Sequence, residues 1–186
     1  GEFETQAGQT QYGRYRDDWG NWFGNNNPNW LWHYSIPEQY LGRNPLVTVR
    51  ETKNYLANYN DSKRVYPISK PQTRVNQPQS MNYVTSGNSA SPYRDELLGG
   101  DYEASVFASE PVHNVVHREV LTPSGVSFTS QRAKGEETKE FLASTDNWFR
   151  PTMVKTGPDG AVYVADFYRF VLEHPEWISP EAQKAL

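Results

Sequence analysis

"HNVVHREVLTPSGVSFTSQRA", His113–Ala133, decides the fold. Its halves, His113–Leu121 and Gly125–Ala133, are short, alternating and rich in β-branched residues. Thr122-Pro-Ser-Gly125 separates them. Proline presets φ and glycine accepts positive φ, so the pattern reads as strand, turn, strand. Outward from it, Glu103–Glu110, Glu140–Thr145 and Ala161–Tyr168 carry the same signal, and Gly157-Pro-Asp-Gly160 is a second turn. The expectation is an all-β chain.

Internal echoes sharpen it. "TPSGVSFTS" from Thr122 and "GPDGAVYVA" from Gly157 share proline, glycine and apolar alternation, and "NWF" occurs at Asn21–Phe23 and Asn147–Phe149. Such spacing suits a repeat of ~40 residues, the size of a four-stranded propeller blade, over a sandwich. The segment from Tyr55 to Pro92 differs, being rich in Asn, Ser, Pro and Tyr. Strand candidates there are short, at Arg64–Ile68 and Met81–Thr85, and the rest reads as long ordered loops.

Composition removes several function classes. The net charge of −4 gives no electrostatic reason to expect nucleic acid. Without cysteine the chain has no disulfide, thiolate metal site or covalent haem of its own. No apolar run reaches the length of a membrane span, and no signal peptide is seen. At the far end Ser179 reads as an N-cap with Pro180 at N1, which predicts a helix starting there and a larger polypeptide around the chain.

Chemistry-bearing residues gather beyond strand ends. Glu110, His113 and Asn114 lie between two strands; Asp146, Asn147 and Arg150 surround an aromatic pair; Asp166 and Arg169 follow the last strand. His113 and His117 share a strand face but stand ~13 Å apart, too far for one metal. No G-x-S-x-G and no phosphate-loop pattern occurs. In "RDDWGNWFGNNNPNW", Arg16–Trp30, the tryptophans read as anchors of a loop that holds Arg14, Arg16, Asp17, Asp18, Asn25 and His33 on the same ligand face as the strand-end groups. Aromatic planes beside amides suit a carbohydrate. Calcium is conceivable at Asp17, Asp18 and asparagine carbonyls, without EF-hand spacing.

Four stretches carry a family resemblance: Tyr12–Tyr34, "NQPQSMNYVTSGNSASPYRDELLGGDYEASVF" (Asn76–Phe107), "SEPVHNVVHREVL" (Ser109–Leu121) and "DNWFRPTMVKTGPDGAVYVADFYRFVLEHPEW" (Asp146–Trp177). Together they resemble the membrane-bound dehydrogenase domain of planctomycete-type large secreted proteins. The resemblance implies a propeller akin to quinoprotein glucose and sorbosone dehydrogenases, of which this chain would be the C-terminal portion, about three blades. Residues 1–54 would hold the Trp/Asn-rich loop and first blade, 55–100 a loop-rich insertion, 101–178 blades, and 179–186 the start of a helix. It further implies a periplasmic or secreted location, the remaining blades and a cytochrome c domain as partners, pyrroloquinoline quinone and calcium as cofactors, and haem c only outside this chain. The activity expected is a sugar or polyol oxidoreductase in which His113 or Asp166 takes a hydroxyl proton and Arg150 stabilises negative charge. The alternative is a non-catalytic glycan- or protein-binding module or scaffold.

Overall fold

The structure, a computed structural model, describes residues 3, 10, 13–48, 51–70 and 77–184. Most of the polar lead-in at 1–12, and 71–76 of the loop-rich segment, lie outside them. The described chain is all-β, with eleven antiparallel strands in three sheets. Helix is confined to α1 (Glu38–Leu41), α2 (Pro180–Lys184) and three short 3-10 turns. The helix expected from Ser179 is α2, whose Gln183 N–H donates to the Ser179 carbonyl at 2.9 Å. Among the described residues no closed barrel or propeller ring forms.

The first sheet runs β1 (Tyr15–Arg16), β2 (Trp22–Asn26), β3 (Asn29–Tyr34), β4 (Asn54–Tyr55) in chain order. The expected tryptophan-pinned loop is therefore largely a hairpin. Phe23 pairs with His33 and Gly24 with Trp32, and a bulge falls between Gly24 and Asn26. Asparagine suits that bulge and the turn, where the Asn29 amide donates to Asn26 Oδ1 at 2.8 Å. Glycine at 24 is needed for space, since a Cβ there would stand 2.7 Å from Trp32 Nε1.

The second sheet runs β5 (Asn88–Pro92), β6 (Ser105–Glu110), β7 (Val115–Ser124), β8 (Ser127–Arg132), with β9 (Leu142–Ala143) pairing the start of β7. The turn expected at Thr122–Gly125 tightens onto Gly125, because Thr122 and Pro123 still pair with Thr129 and Phe128. The third sheet is the hairpin β10 (Pro151–Thr156) and β11 (Val162–Asp166), turned at Gly157–Gly160. The two Pro/Gly echoes are both hairpin turns, but they join different strand pairs: the last two of the second sheet and the only two of the third. They do not mark a repeat of the length expected. The candidates at Arg64–Ile68 and Met81–Thr85 reduce to one bridge, Arg64 to Tyr83.

Period-two alternation builds the core. One face of the second sheet turns Val106, Ala108 and Val115 onto Phe23, Trp30 and Leu31 of the first. Its other face turns Phe107 and Val116 onto Val154, Val162 and Val164 of the hairpin. The three sheets thus stack in chain order with a core in each interface. Ser89, buried at φ 57° in β5, joins β5 to β10: its hydroxyl accepts from the Val154 N–H at 2.8 Å and lies 3.2 Å from the Val154 carbonyl, to which it donates.

Ser89→Ala should leave both Val154 backbone groups without that partner in the core. The expected loss is about 2 kcal/mol, or roughly 6 °C in Tm. A thermal melt with unchanged midpoint would show that the hydroxyl does not join the sheets.

Candidate functional site

A pocket of about 610 Å³ opens where β5 and β10 begin. The turns between β2 and β3 and between β6 and β7 form part of its wall. Thr85, Ser86, Asn88, Thr152, Glu173 and Trp177 supply its hydroxyls, amide, carboxylate and aromatic ring.

The wall is held by residues singled out in the sequence. Glu110 is fully buried at the end of β6, and its Oε1 accepts from the N–H groups of Thr85 (3.1 Å) and Ser86 (2.9 Å). Its Oε2 accepts from the backbone N–H of His113 at 2.6 Å and meets His113 Nδ1 at 2.9 Å. Burial pushes this carboxyl up. The His113 ring and the backbone N–H groups of His113 and Thr85 outweigh it and hold it down at about 2. His113 Nε2 accepts from the Asn82 N–H at 3.1 Å, which leaves Nδ1 as the donor to Glu110. The ring nitrogen that would take a substrate proton is thus occupied, and His113 is a clamp rather than a base.

Arg150 is likewise buried, at 1% exposure. Its guanidinium donates to the carbonyls of Arg169 (3.1 Å), Pro111 (2.8 Å) and Phe170, and to Glu173 at 3.2 Å. Four of its five N–H groups are so spent, and it holds Glu173 at the pocket instead of meeting a ligand's charge. Asp166 Oδ1 accepts from the N–H groups of Arg150 and Tyr168, both at 2.8 Å, and caps the turn after β11 without bordering the pocket. Asp146 caps its own turn and receives the Tyr168 hydroxyl at 3.1 Å. Asn114, at φ 58°, donates to the Phe149 carbonyl at 2.6 Å, and Asn147 donates to the Lys70 carbonyl at 3.1 Å. Glu110, His113, Asn114, Asn147 and Arg150 do come together, as the frame under the pocket.

The residues of the Trp/Asn-rich stretch do not join them. Arg16 and Trp22 lie by Lys155 and Thr156, at the opposite end of β10 from Thr152 and the pocket. Asp17 accepts from the N–H groups of Trp19 (3.0 Å) and Asn21 (2.7 Å) and from the Asn21 amide (2.7 Å); Asp18 pairs with Arg94. With those oxygens engaged, the pair makes a poor calcium site, and among the described residues no three His, Asp or Glu stand together as metal ligands. Asn25 is buried at the bulge, where its amide has no partner among the described residues. His33 is a core residue between Phe23 and Phe128, and burial pushes its ring down from the ordinary value. The calcium implied by the resemblance thus finds no fit at Asp17 and Asp18, and no step is derived through it.

Sequence reasoning missed a second buried centre. His117 meets Glu140 through Nδ1 and Glu119 through Nε2, each at 2.8 Å, beneath the Trp30 ring stacked 4.2 Å away. Arg132 donates to both Glu140 oxygens (2.9 and 3.2 Å), and the Tyr59 hydroxyl donates to Glu119. Burial opposes a charged ring, but Glu140 and Glu119 overcome it and raise His117 above its ordinary value. Burial raises Glu140, but His117 and Arg132 outweigh it and hold it at about 2. The alternation that places His117 and Glu119 on one strand face was the available signal. Glu140 and Tyr59 come from too far along the chain to be paired with them by spacing. His113 and His117 thus have separate partners.

Two carboxyls held at about 2 against an ordinary 4.5 favour the folded state fully above ~4.5, and lose that contribution as pH falls toward 2. His117, raised above 6.5, favours the folded state fully below 6.5 and loses its contribution as pH rises through its folded value. Tm measured against pH should fall on both sides of a plateau near pH 5–6.5. The acid slope should be shallower in Glu110→Gln, and the alkaline loss attributed to the ring should vanish in His117→Gln. Slopes unchanged in both variants would refute the assignment.

Among the described residues no helix is long and apolar enough to cross a membrane. No curated protein and no solved structure matches the chain. One family does match, over residues 1–186, and the chain belongs to it: the domain of unknown function DUF7133.

Proposed function

We propose that the chain is a carbohydrate-recognising section of a secreted β-propeller within a larger polypeptide, and that the pocket at the start of β5 and β10 is its binding site. The lining of that pocket carries the reading. Thr85, Ser86 and Thr152 with their hydroxyls, the Glu173 carboxylate and the Trp177 ring line it together. A sugar presents apolar ring faces and a rim of hydroxyls, and needs both kinds of partner together. The propeller assignment is supported by three sheets stacked face to face in chain order, with β5 lying against both β1 and β10. First strands of successive blades meet in this way around a propeller axis. The resemblance to the secreted dehydrogenase family supports a periplasmic or extracellular setting, further blades and a cytochrome c domain as neighbours.

A sugar or polyol oxidoreductase is the second reading, and it uses the same pocket. Glu173 favours it, as an acid held in the pocket wall by Arg150 where it can exchange a proton with a substrate hydroxyl. The hydride of the carbinol carbon would need a two-electron acceptor of the quinone class seated directly against the substrate and supplied by the rest of the assembly.

Glycan-array binding followed by calorimetry on the complete chain tests the first reading. Trp177→Ala should abolish binding and Glu173→Gln should weaken it roughly tenfold. Trp19→Ala, on an exposed tryptophan away from the pocket, should leave it unchanged. Binding without dye reduction across a sugar panel with added quinone supports recognition alone. Turnover that Glu173→Gln removes supports the oxidoreductase, and no glycan binding at all overturns both.

A further inference from the structure

A second cleft, of about 420 Å³, lies at the other end of β5 and β10, and the carbohydrate reading leaves it unused. Three strands bring cations to it: Arg16 from β1, Arg94 just beyond β5 and Lys155 from β10, with Arg14 at its border. The Lys155 ammonium sits 3.8 Å from the centre of the Tyr15 ring, and the Arg16 guanidinium 5.6 Å from that of Trp22. An aromatic face steadies a cation without consuming its N–H donors.

Counter-charge is scarce. Asp18 pairs with Arg94, and the oxygens of Asp17 are taken by Trp19 and Asn21. Among the described residues neither the Arg16 guanidinium nor the Lys155 ammonium has a hydrogen-bond acceptor or ion-pair partner. Partial burial and the Arg94 charge push the Lys155 ammonium below its ordinary value, as expected where like charges gather.

We propose that this cleft binds a small molecule carrying two or more oxyanion groups, carboxylate or phosphate, received by Arg16 and Lys155. Guanidinium forks match paired oxygens, and an ammonium adds a movable point charge. The volume falls in the range of small-molecule sites. The exposed Trp22 ring supplies a flat apolar wall for the ligand's carbon frame. A nucleic acid would need a basic stripe along many phosphates, and the cations here are confined to one cleft of a chain with net charge −4.

Isothermal titration calorimetry on the complete chain at low ionic strength tests the proposal, with citrate and pyrophosphate as probes and glucose as the uncharged control. Saturable binding of either anion is expected. Arg16→Gln and Lys155→Gln should each weaken it roughly tenfold, added salt should weaken it further, and Lys134→Gln, on an exposed lysine elsewhere, should not change it. Citrate alone would assign carboxylate ligands and pyrophosphate alone phosphate ligands, each in support. No binding of either anion, or binding that both Gln variants leave intact, would overturn the proposal. Glycan binding through Trp177 is a separate readout, and its presence or absence does not bear on this result.

Discussion

The His117 ring between two carboxylates is the contact on which the rest of the architecture leans. Both ring nitrogens face carboxylate oxygens at 2.8 Å, so the ring carries both protons. With Arg132 the cluster holds two positive and two negative groups and is electrically balanced inside the core. Such a cluster adds little net stability compared with well-packed apolar residues, yet removing one partner costs about 3–5 kcal/mol. Its value lies in alignment. Glu140 fixes the segment leading to β9, Glu119 and His117 belong to β7, and Arg132 closes β8. Trp30, stacked on the ring, brings in β3 of the first sheet.

The same cluster explains how the described residues of the loop-rich segment, which has hardly any strand, are held. The Tyr59 hydroxyl, the Tyr66 N–H, the Arg64 carbonyl and the Ser62 carbonyl are bound in turn by Glu119, Glu140, Arg132 and Trp30 Nε1. A chain lacking ladder partners must find others for its buried polar groups, and here charged side chains of the second sheet provide them. The segment then delivers Thr85 and Ser86 to Glu110, and so to the pocket wall. Site geometry therefore depends on charge pairs set well below it.

Strands between Ser105 and Arg132 and at Val162–Asp166 were legible because alternation and Pro/Gly turns agree there. Strands β2 and β3 were not: Trp30, Leu31 and Trp32 are all buried, which erases the alternation, and Asn26-Asn27-Pro28-Asn29 lacks the glycine of a usual hairpin turn. The small polar run Asn88–Pro92 hid β5, whose serines are buried by contacts with β6 and β10 that no local pattern announces. Residues beyond strand ends come together in part, and most of their hydrogen bonds go to backbone groups. Asp, Asn, His and Arg at such positions look alike in a sequence whether they meet a ligand or a backbone N–H. Only the partners distinguish them.

That distinction relocates function. Glu110, His113, Asn114, Arg150 and Asp166 direct hydrogen bonds to backbone or to one another, and a group so engaged has little left for a ligand. One end of β5 and β10 carries a pocket lined by hydroxyls, a carboxylate and an indole; the other carries a cleft lined by Arg16 and Lys155 beside aromatic rings. Two ends of the same strands thus present different linings. The aspartates of "RDDWGNWFGNNNPNW" cap its own turn and pair with Arg94, while its leading arginine lines the second cleft.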